Sequence, residues 1–294
     1  MSDYGKILVT GGTGDLGGAL TYTLLAMGAN FRVLEHQKPV SSEIKDAGVE
    51  VVPGDLMVPE SLDAPIDGVD MVFLYTPLSP DAAKMASNAI SAAKRSGSPH
   101  IIRLSERPPE PVSNLRVGRL HLETDAELKA SGLPYTFLRP TQFMQVTLFS
   151  AQSIASDGKI YMPYKDGRLS LVDIRDVAEA AAFVLTNEGH NGKSYTLTGP
   201  ASISLYEVAA ILSSALEKEV NYVNVPVEAA RESMLAMGLE EWFAGAFLEY
   251  MENFSNGGGD FVADDFEKLT GHPPHSFDSF ARDFAQYFTP GSAE

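Results

Sequence analysis

The chain contains no cysteine, and that absence removes disulfides, thiolate nucleophiles and thiolate metal sites together. No apolar run approaches the roughly 20 residues needed to span a bilayer, so no membrane segment is expected. Positive charge is scarce: 22 Lys and Arg stand against 39 Asp and Glu, a net charge of −17. No basic patch interrupts that imbalance, which argues against a nucleic-acid partner and against docking on anionic lipid. The acidity otherwise speaks only for solubility. Also missing are the charged start and apolar core of a signal peptide, which makes a cytoplasmic protein the expectation. No Gly-x-Ser-x-Gly turn is present for a serine hydrolase. His272 and His275 flank two prolines, which forbids the helical geometry of a zinc pair, so they read as loop histidines and no metal is expected.

What is present is an ordinary globular balance, 44% hydrophobic and 21% charged, in 294 residues. That length suits one large α/β domain with an appended lobe. The first two-thirds alternates short β-branched or apolar runs with longer helical patterns. Strands are predicted over residues 6–10, 31–35, 49–52, 71–75, 100–104 and 135–138, and helices over 16–27, 81–96 and 117–131. Gly28, Gly97 and Gly132 stand where those helices should stop. Such alternation implies parallel strands, right-handed crossovers and helices on both faces of the sheet. Residues 1–150 therefore read as a Rossmann-type doubly wound domain, with the alanine-rich segment 172–188 packing back on it. Residues 151–294 read mainly as a smaller mixed α/β lobe for substrate. After Pro140, helices are expected over 142–155, 174–186, 204–216, 228–237, 240–254 and 277–288, with a short apolar segment at 160–163 and strands at 194–197 and 221–223.

The strongest local signal is the turn Gly11-Gly12-Thr13-Gly14-Asp15-Leu16-Gly17, which leaves an apolar strand and enters a helix. Gly11 allows the tight turn, Gly14 lets the backbone approach a pyrophosphate, and Gly17 lets helix and strand pack closely. The helix then offers free N–H groups and a partial positive charge to phosphates. Glu35 lies 18 residues after Gly17, at the end of the next strand, where a carboxylate accepts both ribose hydroxyls of NAD and repels a 2′-phosphate. His36 and Lys38 follow and soften that exclusion, so NAD is favoured over NADP without being exclusive. Asp55, with Leu56 after it, reads as a contact to the adenine edge or as a turn cap.

Thr10-Gly11-Gly12-Thr13-Gly14-Asp15-Leu16-Gly17 resembles the Thr-Gly-x-x-Gly-x-x-Gly turn of the short-chain dehydrogenase/reductase superfamily. Later segments resemble its atypical NmrA-like branch, which includes quinone and azo reductases and redox-sensing regulators. They include Gly54-Asp55-Leu56, Leu74-Tyr75-Thr76-Pro77, Arg103-Leu104-Ser105, Thr136-Phe137-Leu138-Arg139-Pro140, Val172-Asp173-Ile174-Arg175-Asp176 and Leu269-Thr270-Gly271-His272-Pro273-Pro274. Their order, over nearly the whole chain, makes the set specific. The resemblance implies that Thr76 and Pro77 lie along the nicotinamide half of the cofactor. It also implies that Arg139 to Gln145, with Phe143 and Met144, passes beside the substrate cleft.

The catalytic pattern departs from the superfamily. Members commonly carry Tyr-x-x-x-Lys, whose lysine stands about 18 residues before the Arg-Pro pair. At the matching positions this chain has Val117 and His121, and none of its 11 tyrosines is followed four residues later by lysine. His121 is the candidate substitute, protonating an oxyanion or orienting a quinone oxygen; a ribose contact or a solvated histidine is the plainer reading. Ser105 is a candidate substrate contact or a structural serine. The stripe Phe243, Phe247, Tyr250, Met251 and Phe254 reads as core, as the face of a homodimer or as the lining of an aromatic pocket. The sequence thus predicts an NAD(P)-dependent oxidoreductase acting on a small aromatic or quinone-like molecule. An NAD(P)-sensing regulator and a non-redox isomerase or lyase on the same fold are the alternatives.

Overall fold

The structure, a computed structural model, describes residues 5–106 and 115–289. Its centre is a seven-stranded, all-parallel sheet, and the expected alternation accounts for most of it. The chain runs β1 (Ile7–Val9), α1 (Asp15–Ala26), β2 (Phe31–Glu35), α2 (Ser42–Asp46), β3 (Glu50–Pro53), α3 (Asp63–Ile66) and β4 (Met71–Leu74). It continues through α4 (Ala82–Arg95), β5 (His100–Leu104), α5 (Arg116–Ala130) and β6 (Tyr135–Pro140). Side chains alternate across the sheet as the two-residue period requires. Ile7, Val9, Phe73, Ile102 and Leu138 enter one core, while Leu8, Val72, Leu74, Ile101 and Phe137 enter the core on the opposite face.

After β6 the chain builds α6 (Ala151–Asp157), β7 (Lys159–Met162), β8 (Arg168–Leu169), α7 (Ile174–Thr186), β9 (Lys193–Leu197) and β10 (Ile203–Ser204). Then follow α8 (Leu205–Leu216), β11 (Asn221–Asn224), α9 (Val227–Ala236), α10 (Glu241–Ser255), α11 (Asp265–Thr270) and α12 (Phe277–Asp283). The sheet order is β3-β2-β1-β4-β5-β6-β9. The strand read from the second lobe is therefore the seventh strand of the main sheet, with Thr136 to Pro140 aligned on Lys193 to Leu197. The return to the first unit thus extends past residue 188. Alanines of α7 pack against α1 and the sheet at nearly zero exposure, as small side chains permit. The second lobe has its own core, which includes Ile160, Val208, Leu212, Tyr222, Met251 and Phe280. A capping box starts α8, with Ser204 and Glu207 bonded reciprocally.

The segment 142–155 differs from the single helix expected. Gln142 bends and Phe143 stays extended because residue 172 engages the chain there: Val172 N–H donates to Gln142 O at 3.0 Å and Met144 N–H to Val172 O at 2.8 Å. Only then does a 3-10 stretch, Met144–Ser150, lead into α6. Among the described residues, no helix is long and apolar enough to cross a membrane.

Candidate functional site

Strand order reverses between β1 and β4: the chain winds outward to β3 on one side and to β9 on the other. Loops leaving the carboxyl ends of these two strands diverge, and the crevice between them is where open α/β sheets bind ligands. The glycine turn occupies that crevice. Gly11 has φ of +68°, and a Cβ on Gly17 would lie 2.1 Å from Gly11 O, so both glycines are required by the turn itself. Gly14 is different: a Cβ there would meet nothing nearer than Gly11 O at 3.5 Å. Its openness faces outward, and as N-cap of α1 it provides no capping side chain, which leaves first-turn amides for a ligand. Thr10 ties this turn to β4, its hydroxyl donating to Tyr75 O and accepting from Tyr75 N–H, each at 2.9 Å. The arrangement fits a dinucleotide held by its pyrophosphate at the first turn of α1. Thr13 and Asp15 stay at the rim, but the Leu16 side chain is 2% exposed in the core, so only its backbone faces the crevice.

At the adenosine end, Glu35 stands at the tip of β2 as expected but is not free. Its Oε1 accepts from Val40 N–H at 2.8 Å and from Lys45 Nζ at 2.9 Å. The bond from Lys45, more than that from Val40, holds its carboxyl below the usual carboxylate range. Asp55 likewise acts first as a turn cap, accepting Met57 N–H at 2.8 Å, and its other oxygen is 3.2 Å from His36 Nε2. Leu56 packs against the core beneath β3 and β4, and its carbonyl accepts from Asn88.

Beside the glycine turn, where Tyr75 packs against Gly11, lies a cavity of about 280 Å³. Its floor is the carboxyl edge of the sheet: Thr76 and Pro77 after β4, Ser105 and Glu106 after β5, and the stretch from Pro140 to Phe143. Its roof is α10, through Phe247, Tyr250 and Phe254. The aromatic stripe thus divides, with these three on the cavity and Met251 in the second core. Arg116 on α5 clamps the roof, its Nε and its backbone N–H each donating to Glu249 at 2.8 Å. Phe143 lines the cavity, whereas Met144 turns away: at 1% exposure it packs into the second core, because its N–H is drawn toward Val172.

Beneath the cavity lies a buried ionic cluster. The Asp125 carboxylate accepts from Arg139 Nη2 at 2.7 Å, Arg103 Nε at 3.2 Å and Ser105 Oγ at 2.8 Å. Ser105 therefore lines the cavity with its hydroxyl already committed. Arg103 Nη2 lies 3.2 Å from His121 Nδ1. A guanidinium only donates, so Nδ1 is the acceptor and the ring proton sits on Nε2, which faces the cavity. Burial and the charges of Arg103 and Arg139 push the imidazole down to about 3, so it stays neutral at physiological pH. Glu106 Oε2 is 4.0 Å from that Nε2, and the Tyr250 hydroxyl donates to the Glu106 carboxyl. Burial raises Glu106 to about 7, the bond from Tyr250 and the charge of Arg139 opposing it only in part.

Glu106 and Asp125 are site residues that the sequence reading left unassigned, and Tyr250 was read only as one aromatic of the stripe. A carboxylate immediately after β5 was a usable signal, since strand ends on this edge face the crevice. Asp125 had none beyond its place four residues after His121 on α5. The two loop histidines bind carboxylates of α7: His275 Nδ1 is 2.5 Å from Asp176, and His272 Nε2 is 2.8 Å from Glu179. Among the described residues no group of three or more metal-ligating side chains forms.

Comparison with known proteins places this geometry. The NAD(P)H azoreductase of Xenophilus azovorans is 37% identical over 285 residues, covering 96% of this chain and 99% of that protein. The NADPH complex of the quinone oxidoreductase QOR2 of Escherichia coli superposes with a TM-score of 0.87 at 26% identity, covering 95% of this chain and 99% of that one. The NADP(H) complex of Citrobacter triphenylmethane reductase gives a TM-score of 0.85 at 28% identity, with coverages of 95% and 99%. A family model described as the NmrA-like family matches residues 3–277, and the chain belongs to that family.

Proposed function

We propose that this protein is an NAD(P)H-dependent reductase of small, flat, aromatic or quinone-like acceptors. The observation that carries the reading is the cavity itself, which adjoins the glycine turn through Tyr75, starts at Thr76 and Pro77 and is roofed by Phe247 and Phe254. Apolar walls with a few convergent polar groups suit a conjugated ring bearing one or two heteroatoms. The activities printed for the azoreductase, quinone and triphenylmethane relatives support the same class. A pure nucleotide sensor has no need of an aromatic-walled chamber at the nicotinamide end. The aromatic stripe that suggested a dimer face is largely occupied inside the molecule, which removes that reason for expecting a homodimer. A cytoplasmic setting supplies the reduced dinucleotide this reading needs.

When bound, the reduced nicotinamide supplies a hydride. The protein's part is to fix the acceptor plane and exclude water, which Phe143 and the α10 aromatics do, and to meet developing negative charge. His121 serves the last role as a neutral Nε2–H donor rather than as an imidazolium acid, because Arg103 and Arg139 keep it unprotonated. Glu35 keeps the preference for NAD over NADP, moderated by Lys45. Purified protein should oxidise NADH, and NADPH less efficiently, with at least one of a panel of quinones, azo dyes and aromatic carbonyls. Absence of turnover across that panel with both cofactors overturns the reading. His121→Ala should lower kcat about 10²-fold, the scale of one lost oxyanion donor, without moving the pH profile. Unchanged turnover removes His121 from the mechanism.

A further inference from the structure

Reduction by hydride leaves negative charge on the acceptor, and a proton must follow. The cavity wall holds few groups able to supply it. Ser105 is bonded to Asp125, the Thr141 hydroxyl donates to Ser170 O, and the Gln142 amide is bonded to the Tyr164 hydroxyl. The guanidiniums of Arg103 and Arg139 do not release protons at neutral pH. His121 carries no second proton to give. The Tyr75 phenol, also on the wall, is pushed above its ordinary value by burial and by the charge of Asp15, which makes it a poor acid at neutral pH. Among the described residues Glu106 remains, at the carboxyl end of β5, on the same wall as His121 and under the aromatic roof.

We propose that the carboxyl group of Glu106 is the catalytic acid of this site, with Tyr250 as its positioning residue, together doing the work of the missing Tyr-x-x-x-Lys pair. The inference rests on the reductase reading above. In the step, one atom of the acceptor's conjugated double bond takes the hydride, and the other takes the carboxyl proton. The O–H bond of Glu106 breaks and a new O–H or N–H bond forms on the acceptor. The acceptor is reduced by two electrons and the dinucleotide oxidised by two. The carboxylate left behind keeps the Tyr250 hydrogen bond and regains its proton from solvent. The charged and titratable groups that face Glu106 come from three elements: Arg139 on β6, Asp125 and His121 on α5, and Tyr250 on α10. Arg103 on β5 stands one shell further, against Asp125 and His121. A carboxyl raised to about 7 by burial is half protonated near neutrality, where a general acid is most effective.

The test is the pH profile of kcat with the acceptor found in the panel above, together with infrared titration of the cofactor-free protein. Wild type should lose kcat as pH rises through about 7. Glu106→Gln should lower kcat by about 10²-fold or more and flatten that limb. Tyr250→Phe removes a bond that favours the carboxylate, so it should retain turnover with the limb moved to higher pH. A structural role for Tyr250 would not move the limb. In the infrared, wild type should show a protonated-carboxyl C=O band that titrates in the same range and is absent from Glu106→Gln. Turnover in Glu106→Gln with the wild-type rate and limb overturns the proposal and leaves the reductase reading standing. Absence of that band in wild type overturns it without reference to activity, and also serves if Glu106→Gln fails to fold. Absence of turnover in wild type with every acceptor is instead the failure of the reductase reading.

Discussion

Two carboxylates at strand ends, Glu35 and Glu106, are driven in opposite directions by their surroundings. Glu35 is kept ionised by Lys45 and the Val40 amide, while burial under α10 favours the protonated form of Glu106. The ionised Glu35 repels a 2′-phosphate, but the Lys45 ammonium at 2.9 Å offsets part of that repulsion. Glu35→Gln should therefore raise kcat/KM for NADPH relative to NADH by about twofold to fivefold, the scale of a solvent-screened charge. Lys45→Ala should shift the ratio the other way. Steady-state kinetics with both cofactors decide the matter, and an unchanged ratio in both variants removes Glu35 from cofactor selection. The position of Glu35 was legible because a fixed spacing from the glycine turn locates it. Its partner was not: Lys45 reaches it only because α2, a helix of five residues, brings the chain back beside β2. The same holds for Arg103, Asp125 and Arg139, which stand on three different elements and form a cluster only when β5, α5 and β6 pack. Sequence spacing names candidates one strand end at a time; it does not say which will share a proton.

Among the elements, the turn from β1 to α1 separates structural glycine from ligand glycine. Gly17 is in the first turn of α1, and any Cβ there strikes the Gly11 carbonyl, a backbone atom that cannot swing aside. Gly17→Ala should destabilise the fold by about 1–3 kcal/mol, the cost of overpacking, and weaken dinucleotide binding with it. Gly14→Ala meets only an ordinary contact, so its melting temperature should stay near wild type while NADH affinity falls. Thermal denaturation alongside nucleotide titration checks both, and loss of stability in Gly14→Ala would show that the turn, not the ligand, needs that glycine. The helices and strands of this half were legible because local periodicity and the buried sheet agree. The extended start of 142–155 was not, since its hydrogen bonds go to Val172, 30 residues along the chain from Gln142. Nor did α10 show from its sequence which aromatics line the cavity and which face core. That depends on the clamp of Arg116 on Glu249, made across 133 positions of sequence.

For the whole molecule, closing the second lobe over the sheet edge buries a carboxyl group, and stability must register it. Burial raises the Glu106 carboxyl on folding from its ordinary 4.5 to about 7. A carboxyl whose pKa is raised on folding binds its proton more tightly in the folded state, so its contribution is fully present below the unfolded value. It is lost as pH rises through the folded one. Wild type should therefore lose melting temperature between about pH 5 and about pH 8, beyond whatever other groups impose. Glu106→Gln keeps the shape of the protonated acid and cannot ionise, so its melting curve should fall less over that interval and cross above wild type at the alkaline end. The difference between the two proteins isolates this one group, since every other titratable side chain is common to both. Parallel curves across the interval would mean that Glu106 is ionised throughout, and that α10 closes over the site at no electrostatic cost.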